Sequence, residues 1–390
     1  MSRDGASNVA KNTSRRDFIK IASVGATAGL AGCSTSGSGD GGESGDGGAT
    51  TGTGSGSSGP SESSPLSVEF FGGVFKDVLD EHLVAPFEEE TGIPVESSGG
   101  TSASEPVQLQ SAVQAGEAPI DLVVATPVNR IRGQRLGIWH NYDAGQLDNS
   151  DVVLDDLLPK TDDGAVVGAG AFGWFATLVS QTDLLDEPLD SWSVFWDEEY
   201  EGSLALSNSE RAGILDVTAE MFFDGRDSLQ SEEGITEVLE KVQEIKSQVS
   251  LWYDGEAEAQ QALLDENIEA SWLFHDVTLV MEDNGEPVES VFPQEGAVQN
   301  DGAWVILDST DYPDAAIDFI DFSLRPEVQQ NISENLFTAP VIEESALEMS
   351  DDTYSRVYGP GPDEAIRPFY EMYLDREEFL SQKWREMILS

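Results

Sequence analysis

In "FFGGVFKDVLDEHL", which opens on Phe70, two glycines separate an apolar run from an amphipathic helix. Gly72 and Gly73 cost backbone entropy, so the pair marks either a tight turn or a backbone that a ligand approaches closely. A loop feeding a helix N-terminus presents free amides, which suit an anion or a carbonyl-type acceptor. Aromatics offer a second chemistry. Trp252 in "SLWYDGE" and Trp272 in "ASWLFHD" end strand-like runs, where an indole face can hold a cation. A desolvated cation–π contact of that kind contributes about 2 kcal/mol.

Catalytic chemistry has little to stand on. The three histidines, His82, His140 and His275, have no metal-ligand spacing to one another. His82 falls on a core-facing helical stripe, and "HD" at 275–276 reads as a cleft contact or as a core histidine. No Gly-x-Ser-x-Gly, zinc or intact EF-hand pattern is present, so no metal and no cofactor is expected. Asn331 in "NIS" is a glycosylation sequon only by pattern.

The elements that position these residues begin after residue 65. "SRRDFIK", Ser14 to Lys20, carries an arginine pair and resembles a twin-arginine export signal. The apolar stretch Ile19 to Gly32 is shorter than the roughly 20 residues a membrane span needs. It ends in "LAGC", which resembles a lipobox with Cys33 as the lipidated residue; residues 1–33 therefore read as a lipoprotein signal. Cys33 is the only cysteine, which excludes a disulfide within a monomer. Residues 34–65 are almost wholly Gly, Ser, Thr, Asp and Glu, a composition that cannot bury enough surface to order itself. As a flexible tether of about 32 residues it reaches roughly 30 Å.

The chain carries 74 acidic and 20 basic residues, a formal charge of −54, with 39% apolar content. Nucleic acid is excluded as a partner, because phosphate recognition needs a basic footprint. The acids alternate with ordinary apolar periodicity, so they read as solvated faces of a folded protein. Many carboxylates with few lysines resemble proteins of salt-loving archaea. The Debye length is about 3 Å at molar salt, so the self-repulsion is screened there and is expected to destabilise the fold in low salt.

"LSVEFF" reads as a strand and is followed by a helical stripe of Phe75, Val78, Leu79, His82, Leu83 and Phe87, which Pro86 kinks or divides. "VESSGG" is a second strand, "PVQLQSAVQAGE" a helix, and "PIDLVVAT" a buried third strand ending at Thr126, which also reads as a helix cap. This β-α-β-α-β rhythm implies a mostly parallel sheet covered by helices.

"APFEEETGIPVE", followed by "APIDLVVAT", resembles the first lobe of the extracellular solute-binding proteins that serve ABC importers. "PLDSWSVFWDEEYEGSLALSNSER", "GEPVESVFPQEGAV" and "DAAIDFIDFSLRPEVQQNISE" resemble, in order, later segments of the spermidine/putrescine-binding branch. The resemblance implies an α/β, two-lobe, periplasmic-binding-protein-like fold of type II, with the ligand in the cleft between lobes. Residues 66–173 would form the first lobe and 174–302 the second. Residues 303–390 would return to the first lobe, with the last helices packing across it.

By the same resemblance, Gly72, Gly73, Phe75 and Thr126 line the first-lobe side of the cleft, and Trp174 lies near the first crossing strand. Trp272 matches a ligand-stacking tryptophan, with Trp252 and Asp254 at the neighbouring rim. Asp301 matches the aspartate that pairs with a ligand ammonium. Trp192 and Trp196 match a packing element. Two departures stand out. Gln299 and Asn300 occupy the place of an expected tryptophan. The acidic pair after "GSLAL" falls on Ser209 and Ala212, leaving Glu210 as a substitute. Adjacent tyrosines of the iron-binding relatives are replaced by Trp252-Tyr253, which disfavours ferric iron. The implied function is solute capture by hinge closure and delivery to an ABC permease and its ATPase subunit. The protein would be a monomer, lipid-anchored on the outer face of the cytoplasmic membrane. A polyamine-like organic cation is favoured; an anionic or neutral ligand (carboxylate, phosphonate, sugar, thiamine) stays open. The rival from another class is a secreted, lipid-anchored enzyme.

Overall fold

A computed structural model describes residues 64–100, 105–359 and 364–390. The export signal, Cys33 and most of the tether lie outside the described residues. Residues Pro65–Ser390 form one compact unit.

The chain opens with β1 (Leu66–Phe71), whose buried and half-buried residues alternate, as a strand with one face on a core requires. Gly73 follows at φ 67°, a left-handed value that admits glycine without strain, and it caps α1 (Val74–Leu79). The helix then widens into a π segment, Asp80–Val84, before resuming as α2 (Ala85–Thr91). This widened segment immediately precedes Pro86, which lacks the amide that would bond the His82 carbonyl. The chain continues through β2 (Val95–Gly100), α3 (Pro106–Ala115), β3 (Leu122–Ala125) and α4 (Pro127–Leu136). A long strand, β4 (Ala169–Gln181), crosses to the second half of the molecule.

There follow β5 (Leu204–Ser207), α5 (Ile214–Phe222), α6 (Glu232–Gln243), β6 (Val249–Tyr253) and α7 (Glu256–Leu264). Next come β7 (Ala270–Phe274), α8 (His275–Asp283), β8 (Val288–Val291) and the returning strand β9 (Val298–Ile306). Among the described residues the closing α-helices are α9 (Pro313–Ser323), α10 (Pro326–Leu336), α11 (Asp351–Tyr358), α12 (Tyr370–Asp375) and α13 (Glu377–Met387).

The strands join in the order β2-β1-β3-β9-β4-β7-β5-β6, with β8 on β4. Each half repeats one plan: three parallel strands, with the third meeting a crossing strand in antiparallel fashion. The crossing strands β4 and β9 pair with each other over Ala169–Ala176.

Two large buried clusters follow this division. The first gathers Phe70, Leu83, Phe87, Val124 and Phe172 with Trp304, Phe319 and Ile332. The second gathers Leu178, Trp192, Leu206, Leu215, Val238 and Trp272 with Tyr373, Leu380 and Trp384. Helices α9 and α10 return to the first core, α12 lies between the second core and α4 of the first half, and α13 completes the second core. The reason is amphipathic: Leu380, Trp384 and Ile388 share one face at spacing four and bury it against that core. The charged residues beside that face instead reach the first half. Arg132 and Arg135 of α4 hold Glu377 (3.1 Å) and Asp375 (2.8 Å), and Arg211 of the second half shares Glu377.

Candidate cleft at the crossing strands

Parallel registers bring the carboxyl ends of the strands into two rows. In the first half, β1 and β3 end side by side at Phe71 and Ala125, so Gly72 and Thr126 are neighbours beyond them. In the second half, β5, β6 and β7 end at Ser207, Tyr253 and Phe274. Open α/β sheets bind ligands beyond such ends. The crossing strands stand alongside, with Asp301 opposite Gly173 and Asn300 opposite Trp174.

The second-half row opens into a cavity of about 320 Å³, lined by Ser207, Ser209, Arg211, Asp254, Glu256, Trp272, Phe274 and Asn300 among others. Trp272 offers this cavity only an edge. It is 2% exposed and stacks on Trp192 at 4.5 Å, which makes it chiefly a core residue. Asp254 is exposed at the rim and accepts a hydrogen bond from Asn208 Nδ2 at 2.9 Å. Burial pushes Glu256 up from the usual carboxylate range.

Next to Glu256, at the start of α8, burial and then the Glu256 charge push Asp276 up to about 7 from 3.8. Its Oδ1 has no hydrogen-bond partner. A carboxyl with a raised folded pKa contributes stability that is full below the unfolded value and is lost as pH climbs through the folded one. Asp276→Asn is therefore expected to raise the melting point by several degrees at pH 8 and to change it little near pH 3. Thermal melts at the two pH values check this; equal shifts at both would rule out ionisation as the cause.

A different chemistry gathers at the crossing. Arg130, in the second turn of α4, is half-buried, with Nε fully enclosed and unpartnered. Burial lowers its pKa, opposed by the charges of Asp301 and Glu371. Burial raises Asp301, opposed by Arg130 and Arg367. Tyr370 adjoins the same group and donates its hydroxyl to Asn300 Oδ1 at 2.8 Å. Gln299, 3% exposed, faces the hydroxyl of Tyr358, 1% exposed, so the two buried polar groups lie against each other with only a loose hydrogen bond between them. An unpaired buried polar group costs about 1–3 kcal/mol, which makes the enclosed Arg130 Nε the atom here that most needs an acceptor.

The remaining residues named from sequence scatter. Phe75 and Trp174 join Phe71 and Phe172 in a half-buried aromatic wall, with ring centroids 5.4 to 6.2 Å apart. Thr126 caps α4, accepting from the Asn129 amide at 3.4 Å. Trp252 turns away from the cavity and meets Trp384 edge-on at 6.0 Å; its neighbour Tyr253 lines the cavity instead, because adjacent strand residues face opposite sides. Glu210 accepts from Ser381 of α13 at 2.5 Å and does not line the cavity. His275 is a core residue, held between Ser290 Oγ (2.7 Å) and the Arg356 carbonyl (2.5 Å), and burial lowers it to about 4.

Sequence reasoning missed Arg130, Arg367, Tyr358 and Tyr370. One signal existed for the first. Arg130 stands four residues past Thr126, which places it one turn into a helix that starts at a strand end. The others come from a distant segment that the bridge Val298–Ile366 lays beside β9, and nothing local announces it.

A family model described as bacterial extracellular solute-binding protein matches residues 82–356, more than half of the chain. The chain belongs to this family. The solute-binding protein is 22% identical over 256 residues to the spermidine/putrescine-binding periplasmic protein of Escherichia coli K12. That match covers 65% of this chain and 72% of the relative. Among solved structures, an extracellular solute-binding protein from Bordetella parapertussis superposes with a TM-score of 0.71 at 17% identity. The match covers 83% of this chain and 98% of that one. A spermidine/putrescine ABC transporter substrate-binding protein from Streptococcus pneumoniae gives 0.68 at 18% identity, over 83% and 99%. The expected α/β fold of ABC-transporter solute-binding proteins is thus the observed one. Proteins of this family bind small solutes and deliver them to a permease; they are not enzymes.

Proposed function

We propose that this substrate-binding protein of an ABC transporter captures a small solute bearing an anionic group, seated on Arg130 where the two halves meet. The two halves act as lobes, roughly 66–173 with the first part of 303–390, and 174–302, that close on the ligand. The observation that carries this reading is Arg130 near the crossing strands, half-buried, with an enclosed Nε that meets no acceptor. An arginine withdrawn from water needs an acceptor, and its planar fork suits a carboxylate or phosphonate.

The polyamine reading has a specific observation in its favour too. Asp254 and Glu256 line the second-half cavity beside Trp272, with Asp276 behind them. The curated relatives named for spermidine and putrescine point the same way. Against it, the charges of Arg130 and Arg367 act on Asp301, and one face of Trp272 is covered by Trp192.

Thermal melts of the full chain in multimolar KCl separate the two. A ligand at about 100 times its Kd adds roughly 2.7 kcal/mol. Small carboxylates or phosphonates are expected to raise the melting point and to shrink the radius of gyration in solution scattering. A shift with putrescine or spermidine alone would overturn the anion and leave the transport role standing.

The proposal extends to the cell surface. Twin-arginine export, lipidation of Cys33, a monomer on the outer face of the membrane, and an acidic surface suited to high salt make one consistent picture. Cys33→Ser is expected to release the protein into the medium; a variant retained as firmly as the parent would contradict the anchor.

A further inference from the structure

We propose that Glu377 is a clasp between the two halves, gripped by one arginine from each, and that it sets the balance between parted and closed forms. The proposal rests on the reading of the halves as closing lobes and does not depend on the charge of the ligand. Glu377 opens α13, whose apolar face lies in the second core. Arg132 comes from α4, which packs on α3 and β3 of the first half. Its Nη2 donates to both carboxylate oxygens of Glu377, at 3.1 and 3.2 Å. Arg211, on the wall of the second-half cavity, donates its own Nη2 to the same carboxylate. Three residues further along α4, Arg135 holds Asp375 of α12 at 2.8 Å. That helix buries Met372 and Tyr373 in the second core while it lies against α4.

A further carboxylate makes the clasp reversible. Arg132 Nη1 lies 3.7 Å from Glu105, which precedes α3 in the same half as Arg132. When the halves part, Arg132 leaves Glu377 and keeps Glu105, so its guanidinium is not stranded. Arg211 keeps Glu377, because both belong to the second half. Parting therefore breaks only the pairs Arg132–Glu377 and Arg135–Asp375. An ion pair that serves the fold alone joins elements of one core, as Arg325 and Glu90 do in the first half. These two join helices of different cores. Their side chains are partly exposed, and exposed pairs contribute little one at a time. That suits a device that must also let go. Contacts made only in the closed form shift the balance by what they are worth there, here several-fold, without making closure permanent.

The test is single-molecule fluorescence transfer on the full chain in multimolar KCl, with no ligand added. Dyes are placed through Glu89→Cys in α2 and Glu233→Cys in α6, both exposed positions, and Cys33→Ser removes the native thiol. Arg132→Gln combined with Arg135→Gln is expected to raise the ratio of parted to closed molecules several-fold, with a melting point near that of the parent. Arg135→Asp is expected to raise the ratio as well. Adding Asp375→Arg is expected to bring it back towards the parent value, a rescue that misfolding would not produce. An unchanged ratio in the double glutamine variant would overturn the clasp and leave the anionic reading of the ligand intact. A single closed population in every variant would overturn the clasp and the closing lobes together.

Discussion

Arg130→Gln is expected to cost at least a hundredfold in ligand affinity while leaving the unliganded protein as stable as the parent, or more so. The two halves of that expectation come from one fact. Without ligand the guanidinium is partly desolvated and its Nε meets no acceptor. Removing it relieves a buried charge, and breaks no hydrogen bond of its side chain among the described residues. With ligand, the same group supplies a charge-assisted bond in a cleft screened from water. Truncating one partner of such a pair costs about 2–5 kcal/mol, and 2.8 kcal/mol is already a hundredfold. An arginine kept for the fold behaves differently, since its removal lowers the melting point. Calorimetry paired with melts of the ligand-free variant decides the matter; a large loss of stability with unchanged affinity would assign Arg130 to the fold alone.

The second large effect lies one helical turn away and acts on stability. Gly133→Ala in an exposed helix would stabilise by about 1 kcal/mol through helix propensity. Here a Cβ on Gly133 would lie 2.2 Å from the indole of Trp139, a residue 4% exposed. Neither the helix nor the ring can yield locally, because Trp139 Nε1 also donates to the Arg130 carbonyl at 2.9 Å. Overpacking of that severity costs about 3 kcal/mol, which exceeds the propensity gain. A melting point lower by several degrees is expected, with weaker ligand binding as α4 shifts. A variant that melts at or above the parent temperature would contradict this packing.

Much of the fold was legible because local patterns and tertiary needs agree. "LSVEFF" and "DLVVAT" become β1 and β3, and the glycine pair becomes the turn into α1, with the left-handed φ at Gly73. The π segment was not legible, since only a division at Pro86 could be read. The last helices were read only as returning to the first half, whereas α12 and α13 also bury apolar residues in the second core. Their apolar face was visible at Leu380, Trp384 and Ile388, but periodicity does not say which core receives it.

Of the residues named from sequence, Asp254 and Trp272 line the second-half cavity at the strand ends, and Asp301 does not. What escaped was the balance of charge. In a chain with 74 acidic residues, a carboxylate carries little information by itself. Asp301 looked like an ammonium partner until Arg130 and Arg367 were found beside it, one from α4 and the other more than sixty residues downstream. Trp252 and Tyr253 were separated only by strand parity, which turns on one residue of register.

The most direct test of the central claim is to identify what the protein carries from the cell. The full chain would be purified in high salt from cells grown in rich medium, then denatured. The released small molecules would be identified by mass spectrometry, with Arg130→Gln treated in parallel. A solute with a carboxylate or phosphonate group, present in the parent and absent from the variant, is the expected result. Spermidine or putrescine released equally from both would contradict it.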